Sequence, residues 1–407
     1  MAERNFQIVE GGLDIVQGFS SLGICCGIKR EKNDLAVIWS EVPAVSAGVF
    51  TQNLVKAAPV ILTSSHLREK GQTQLLVVNS GVANACTGEK GIEDAQEVAR
   101  FGASCFGIAD PRLVAVASTG VIGEFLPLEK IKNGLLRLRE LLPHKKSGAE
   151  TARAIMTTDT FPKERAVEFS WGGTTMHLAG IAKGSGMIRP RLATMLSFLI
   201  TDAALAREDL QALLCEAVEG SFNRVTVDGD TSTNDMVLLL ANGRSWAPLL
   251  KRGSEGFEIF REALGFVCQE LAQDLARDGE GATKFVEIVI EGARNKEEAR
   301  QCAFTVAESP LVKTAFFGED PNWGRIMAAL GRSGVNIEPG KVNIAINGVR
   351  FVEKGMKAAG LERHILQKAM KPKELQVVID LHLGEVRFQV WTCDLSFDYV
   401  KINSHYS

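Results

Sequence analysis

A threonine hydroxyl is a weak nucleophile at neutral pH unless a base lies within hydrogen-bond reach, and a free α-amino group, with a pKa of about 7.7–8.0, suits that role. The segment 181–198, IAKGSGMIRPRLATMLSF, has the makings of a chain that is cut before Thr194 and so draws both groups from one residue. In the uncut chain the Thr194 hydroxyl would attack the Ala193 carbonyl to form an ester, which water would hydrolyse; the small side chain of Ala193 leaves that carbonyl approachable. Gly184, Gly186 and Pro190 suit a turn, and 195–200 reads as a short buried strand that Thr194 would open. Spacing alone favours the plainer reading, a β-branched residue at the head of a strand. Other motifs must decide.

Thr119-Gly120 follows a predicted buried strand inside the glycine-flanked loop STGVIG, where a hydroxyl and a backbone N–H can converge on one oxyanion; a tight turn explains it as well. Thr157-Thr158-Asp159-Thr160 gathers hydroxyls around one carboxylate, for a polar substrate or for a turn network. The loop 226–235, TVDGDTSTND, is denser in polar groups than a surface loop needs, and its spacing is wrong for a calcium loop. Glu280 stands between two glycines, placed to hold an ammonium or simply to cap a helix. Lys183 suits a substrate carboxylate or the tuning of the amine's pKa, although a lone lysine is more often a solvated surface charge.

These residues must be positioned by a large fold. At 407 residues, two domains are expected, and 45% hydrophobic with 23% charged residues describes an ordinary globular chain. A net charge of -3 gives no footprint for nucleic acid, and no stretch has the length or apolarity of a membrane span or signal peptide, which points to the cytoplasm. The eight cysteines lack CxxC spacing and are read as buried small hydrophobes, and the six histidines form neither HxH nor HExxH. Neither GxGxxG nor GxxxxGK[ST] opens a helix, so no metal and no organic cofactor is expected.

Strand, glycine loop and helix alternate from 75 onward: strands over 75–78 and 113–117, helices over 92–105 and 128–142, then a hairpin turn at Trp171-Gly-Gly-Thr174. After Thr194 come a helix over 207–219, a strand over 236–241, and a helix marked by Phe260, Leu264, Val267, Leu271 and Leu275. From Lys284 strands dominate (285–290, 342–346, 349–352, 375–381 and 386–391), with Asn347-Gly348 as a hairpin turn. The pattern predicts a larger α/β domain over 1–279 and a smaller α+β domain over 280–407.

The ordered motifs resemble the ArgJ family, the glutamate N-acetyltransferase / ornithine acetyltransferases of arginine biosynthesis. The resemblance runs almost end to end, through 79–88, 118–123, 156–162, 183–198, 228–235, 279–284 and 318–325. It implies a self-processing ArgJ/DmpA-like layered α/β sandwich, cleaved between Ala193 and Thr194 into α and β fragments that stay together as an α2β2 heterotetramer. It implies further that Thr194 carries the acetyl group from N-acetylornithine to glutamate, and that Thr119 and Gly120 form the oxyanion hole. Thr157, Lys183, Thr194, Glu280, Asn403 and Ser407 fall on substrate-binding positions, with Thr157 and Thr158 interchangeable by one residue and Ser407 ending a tail shorter than the family's. No cofactor is implied, and acetyl-CoA stays open as a co-substrate. A related amidohydrolase or aminopeptidase, with water as acceptor, is the alternative.

Overall fold

The computed structural model describes residues 4–189, 195–360 and 362–404, so Ala193, Thr194 and Ser407 lie outside the described residues. The chain forms two compact units. The first comprises Met1–Gly184, Arg191–Asn223 and Asp230–Ala272, and the second comprises Ser185–Pro190, Arg224–Gly229 and Gln273–Ser407.

A nine-stranded mixed sheet organises the first unit. Its strands are β1 (Gln7–Ile8), β2 (Phe19–Ile24), β3 (Leu35–Phe50), β4 (Gln72–Val82), β5 (Val114–Val121), β6 (Lys163–Trp171), β7 (Thr174–Lys183), β8 (Leu196–Thr201) and β9 (Met236–Ala241). They lie in the order β1-β6-β7-β8-β9-β3-β4-β5, with β2 beside β3. The β4/β5 and β8/β9 pairs are parallel, and the other pairs are antiparallel. Successive side chains of a strand face opposite ways. Thus Ala36, Ile38, Leu76, Val78, Ala115 and Ala117 enter one core, whereas Leu35, Val37, Leu75, Val77, Val114 and Val116 enter another. The helices complete these layers.

The second core is closed by α1 (Ala58–Lys70), α2 (Gly88–Phe106) and α3 (Leu128–Leu141), where Ile131, Leu135 and Leu138 form the apolar stripe the sequence predicted. The first core takes α4 (Gly148–Ile155) through Ala152, Ala154 and Ile155. Helix α5 (Arg207–Gly220) packs beside β3, while α6 (Glu255–Arg277) buries Phe260, Leu264, Val267 and Leu271. The β6–β7 hairpin turns at Gly172-Gly173, both at positive φ, as a two-residue turn requires.

In the second unit a six-stranded sheet runs β13-β12-β11-β14-β10-β15, from β10 (Phe285–Ala293), β11 (Asn343–Ile346), β12 (Val349–Glu353), β13 (Met356–Lys357), β14 (Glu374–Asp380) and β15 (Val386–Cys393). Alternate residues Val286, Ile288, Ile290, Leu375, Val377 and Ile379 bury one face against α7 (Lys296–Ala307), α8 (Pro310–Phe317), α9 (Trp323–Gly331) and α10 (Arg363–Met370). The terminal α11 (Phe397–Asn403) starts with the Ser396 hydroxyl accepting from the Asp398 N–H at 3.2 Å.

Two readings of the sequence change here. Cys268, Cys302 and Cys393 are buried as expected, but Cys86 and Cys215 are exposed and Cys25, Cys26 and Cys105 are half-buried. The strand predicted from Met195 begins at Leu196.

Candidate active site

In the first unit, three strand ends and one loop meet around a buried ammonium. Lys183 closes β7 and is only 2% exposed, so the sequence's plainer reading of a solvated lysine does not hold. Its Nζ donates to Thr119 Oγ1 at 3.2 Å and to Thr157 Oγ1 at 2.9 Å. Thr157 and Thr119 thus share the Lys183 ammonium.

Asp159 supplies the countercharge. Its Oδ1 accepts from the buried Lys163 ammonium at 2.7 Å and from the Gly184 N–H at 2.7 Å, while Oδ2 accepts from the Thr157 N–H at 3.0 Å. Burial alone would raise the Asp159 carboxyl, but Lys163 and Lys183 together with these hydrogen bonds outweigh it and hold the group well below the usual carboxylate range. An ionised Asp159 is thus a countercharge to the buried Lys163 and Lys183. The cluster around 157–160 thus forms an ion centre rather than a simple turn.

Gly120 lies opposite Gly81, where the β4/β5 ladder slips register at Val82. Its φ is 134°, and a Cβ there would come within 2.2 Å of the Gly81 carbonyl carbon and 2.5 Å of Val82 N. Only glycine allows this approach. Beside the bulge runs Lys29, whose Nζ donates to Met156 O at 3.0 Å. Burial lowers the Lys29 ammonium to about 8, opposed mainly by Asp34.

The polar loop before β9 acts as a latch. Asn234 Nδ2 donates to Ala83 O at 2.7 Å and Ser118 O at 2.8 Å, tying the ends of β4 and β5 next to Thr119. Thr51 Oγ1 donates to Ser232 O at 2.7 Å, and Asp235 Oδ1 accepts from the Met195 N–H at 2.9 Å. Sequence reasoning singled out this loop without assigning it; Asn234, Asp235, Lys29 and Lys163 went unread because their partners are distant in sequence.

In the second unit Glu280 is 8% exposed, which excludes a solvated cap. Its Oε2 accepts from Asn403 Nδ2 at 2.7 Å, and its N–H donates to Ser185 O at 2.8 Å. A Cβ on Gly186 would lie 2.4 Å from the Glu280 carboxyl, so this glycine leaves room for the acid. Asp228 accepts from the Met187 and Ile188 N–H groups at 2.6 and 2.9 Å, fixing the same segment. Lys183, Thr119, Gly120 and Thr157 are thus gathered in one unit and Glu280 with Asn403 in the other.

A sequence model of the ArgJ family matches residues 20–407. The chain belongs to the ArgJ family. A relative from Symbiobacterium thermophilum, named arginine biosynthesis bifunctional protein ArgJ, is 48% identical over 399 residues, 97% of this chain and 98% of that protein. A protein of the same name from Caldanaerobacter subterraneus subsp. tengcongensis is 44% identical over 404 residues, 98% of this chain and 99% of that protein. Among solved structures, the chain is similar to the ornithine acetyltransferase of Mycobacterium tuberculosis complexed with ornithine. The match has 37% identity, covers 46% of this chain and 98% of that one, and has a TM-score of 0.43. This membership makes the chain an enzyme of a family of bifunctional arginine-biosynthesis proteins. No helix among the described residues is long and apolar enough to cross a membrane.

Proposed function

We propose that the chain cuts itself between Ala193 and Thr194 and then transfers the acetyl group of N-acetylornithine to glutamate by a ping-pong route through acetyl-Thr194. The Thr194 Oγ attacks the acetyl carbonyl as its proton passes to the α-amine, giving a tetrahedral oxyanion. Collapse breaks the C–N bond, and the amine's extra proton leaves on the ornithine nitrogen. Glutamate's amine then attacks the ester, reversing the steps and restoring the threonine.

The observation that carries this reading is the buried Lys183 ammonium held between the Thr119 and Thr157 hydroxyls. Thr119 Oγ1 accepts from a cation, which polarises its own O–H toward an oxyanion, and the slipped ladder at Gly120 supports a backbone N–H as the second donor. Lys183 is the residue proposed for a substrate carboxylate and Glu280 the one proposed for the ornithine ammonium, with Asn403 and Ser407 as further substrate-binding positions. The reaction needs no organic cofactor.

The fragments would remain associated because their strands interleave. β8 and β9, from after the cut, lie between β7 and β3, from before it. The register from Leu178↔Thr201 to Lys183↔Leu196 holds β7 to β8 along the whole of β8. Two such pairs would form the α2β2 assembly in the cytoplasm.

Incubation with N-acetylornithine, with and without glutamate, tests the transfer. N-Acetylglutamate formed in step with ornithine is expected; free acetate as the main product in both reactions would contradict it and support the hydrolase alternative. A parallel reaction with acetyl-CoA and glutamate decides whether acetyl-CoA also serves as donor.

A further inference from the structure

Lys29, in the loop between β2 and β3, is a half-buried cation that the fold uses only in part. The backbone of that loop is secured by Asp34, which is fully buried. Its Oδ1 accepts the Cys26 N–H at 2.6 Å, and its Oδ2 accepts the Gly27 and Lys29 N–H groups at 3.1 and 2.8 Å. The Lys29 ammonium is therefore not what shapes the loop. Among the described residues its hydrogen-bond acceptor is the neutral Met156 O, at 3.0 Å, and an ammonium has further N–H groups to give.

The position of that ammonium ties it to the site of the first unit. The carbonyl it holds belongs to the residue before Thr157, whose Oγ1 accepts from Lys183 at 2.9 Å, so consecutive residues hold the two ammonium groups. The Lys29 side chain also crosses the β4/β5 bulge: a Cβ on Gly81, the partner of Gly120, would lie 3.3 Å from Lys29 Cγ. Charge agrees with geometry. Burial lowers the Lys29 ammonium to about 8, with Lys32 and Lys183 pressing the same way against Asp34 and Asp159. An arriving carboxylate would favour the charged form and offset the crowding of like charges.

We propose that Lys29 receives the side-chain carboxylate of the acceptor glutamate, and so makes the second half of the transfer selective for a dicarboxylic amino acid. The inference rests on the transfer proposed above and adds how the acceptor is told from the donor. N-Acetylornithine and glutamate share an α-carboxylate, for which Lys183 is proposed. They differ at the far end, where one carries an ammonium and the other a carboxylate. A second cation close to Lys183, resting on a neutral carbonyl, attracts the side chain of glutamate and repels that of ornithine.

The test compares the wild-type chain with Lys29→Gln, which keeps a donor for Met156 O but has no charge, and with Lys29→Arg, which keeps the charge. In a ping-pong reaction kcat/KM for each substrate reports its own half-reaction, so N-acetylornithine, glutamate and glutamine are varied in turn. Lys29→Gln is expected to lose at least about tenfold more in kcat/KM for glutamate than for N-acetylornithine, and its preference for glutamate over glutamine should fall by at least about tenfold. Lys29→Arg should restore most of that preference. Equal losses for glutamate and N-acetylornithine in Lys29→Gln, or an unchanged ratio of glutamate to glutamine, would overturn the proposal and leave Lys29 a strut for its loop. The wild type gives a check that needs no variant: use of glutamine as readily as glutamate would overturn the proposal as well. Failure of the transfer reading looks different, because the wild type would then form no N-acetylglutamate from N-acetylornithine, and both proposals would fall.

Discussion

Gly120→Ala gives a sharp structural test of the proposed oxyanion corner. Two separate strains act on the new methyl group: alanine must adopt φ of 134°, and its Cβ would sit 2.2 Å from Gly81 C, 2.5 Å from Gly81 O and 2.5 Å from Val82 N. Backbone atoms in a paired strand cannot swing aside, so β4 must separate from β5 by about 1 Å to reach ordinary contact. A disfavoured φ costs roughly 1–3 kcal/mol and overpacking of this kind a further 1–3 kcal/mol. Gly123 supplies the control: its φ is 90°, but a Cβ there meets nothing within 4 Å, so Gly123→Ala carries the first strain without the second. Denaturant midpoints and steady-state kinetics on both variants separate the effects. Gly120→Ala is expected to lose at least about 1 kcal/mol more stability than Gly123→Ala. It should also lose roughly 10²–10³ in kcat through the displaced donor. Equal stability and near-normal kcat in the two variants would refute both the bulge geometry and the role of Gly120.

The site residues yield further expectations. Lys183→Met keeps the buried stem but removes the cation between Thr119 and Thr157; kcat/KM for N-acetylornithine should fall at least about 10²-fold, and activity within a few-fold of the wild type would remove Lys183 from the mechanism. Glu280→Gln retains the contact with Asn403 but not the charge; KM for N-acetylornithine should rise more than tenfold while KM for glutamate changes little, which steady-state assays with each substrate varied will show. His177 is raised above its ordinary pKa, chiefly by its 2.9 Å hydrogen bond to buried Asp202 against the effect of burial. A raised folded value stabilises the protein fully below the unfolded pKa of about 6.5 and loses that contribution as pH rises through the folded value. Melting curves should therefore decline across that window, and His177→Gln should flatten the decline.

How much the sequence revealed depended on how local each signal was. The strand β9 was read with its observed ends because its apolar run is buried throughout and is bounded by Asp235 and Asn242. Helix α3 carries its buried residues on one stripe, and the Asn347-Gly348 turn takes positive φ at both residues, so each announced itself. Helix α1 did not, because Val60 and Leu67 serve one core while Ala58 and Leu62 serve the other, which blurs any stripe. The long β3 was hidden by Glu41 and Pro43 and by the register shift between Trp39 and Ala44. The site shows the same division. Thr119-Gly120, Thr157, Lys183 and Glu280 lie in recognisable short motifs, but the burial of Lys183 depends on Asp159 and Lys163, and the function of Asn234 depends on Ala83 and Ser118. Those partners meet only in the folded sheet.

Everything proposed for the site depends on Thr194 becoming an N-terminal nucleophile. Intact mass spectrometry of the purified wild-type protein, before and after addition of N-acetylornithine without glutamate, measures it directly, with Thr194→Ala alongside. Expected are fragments 1–193 and 194–407 from the wild type, one acetyl group gained on the N-terminal threonine of the second and lost again when glutamate is added, and an uncut, inactive Thr194→Ala chain. Turnover by an uncut Thr194→Ala chain, or an acetyl group on any other residue of the wild type, would contradict it.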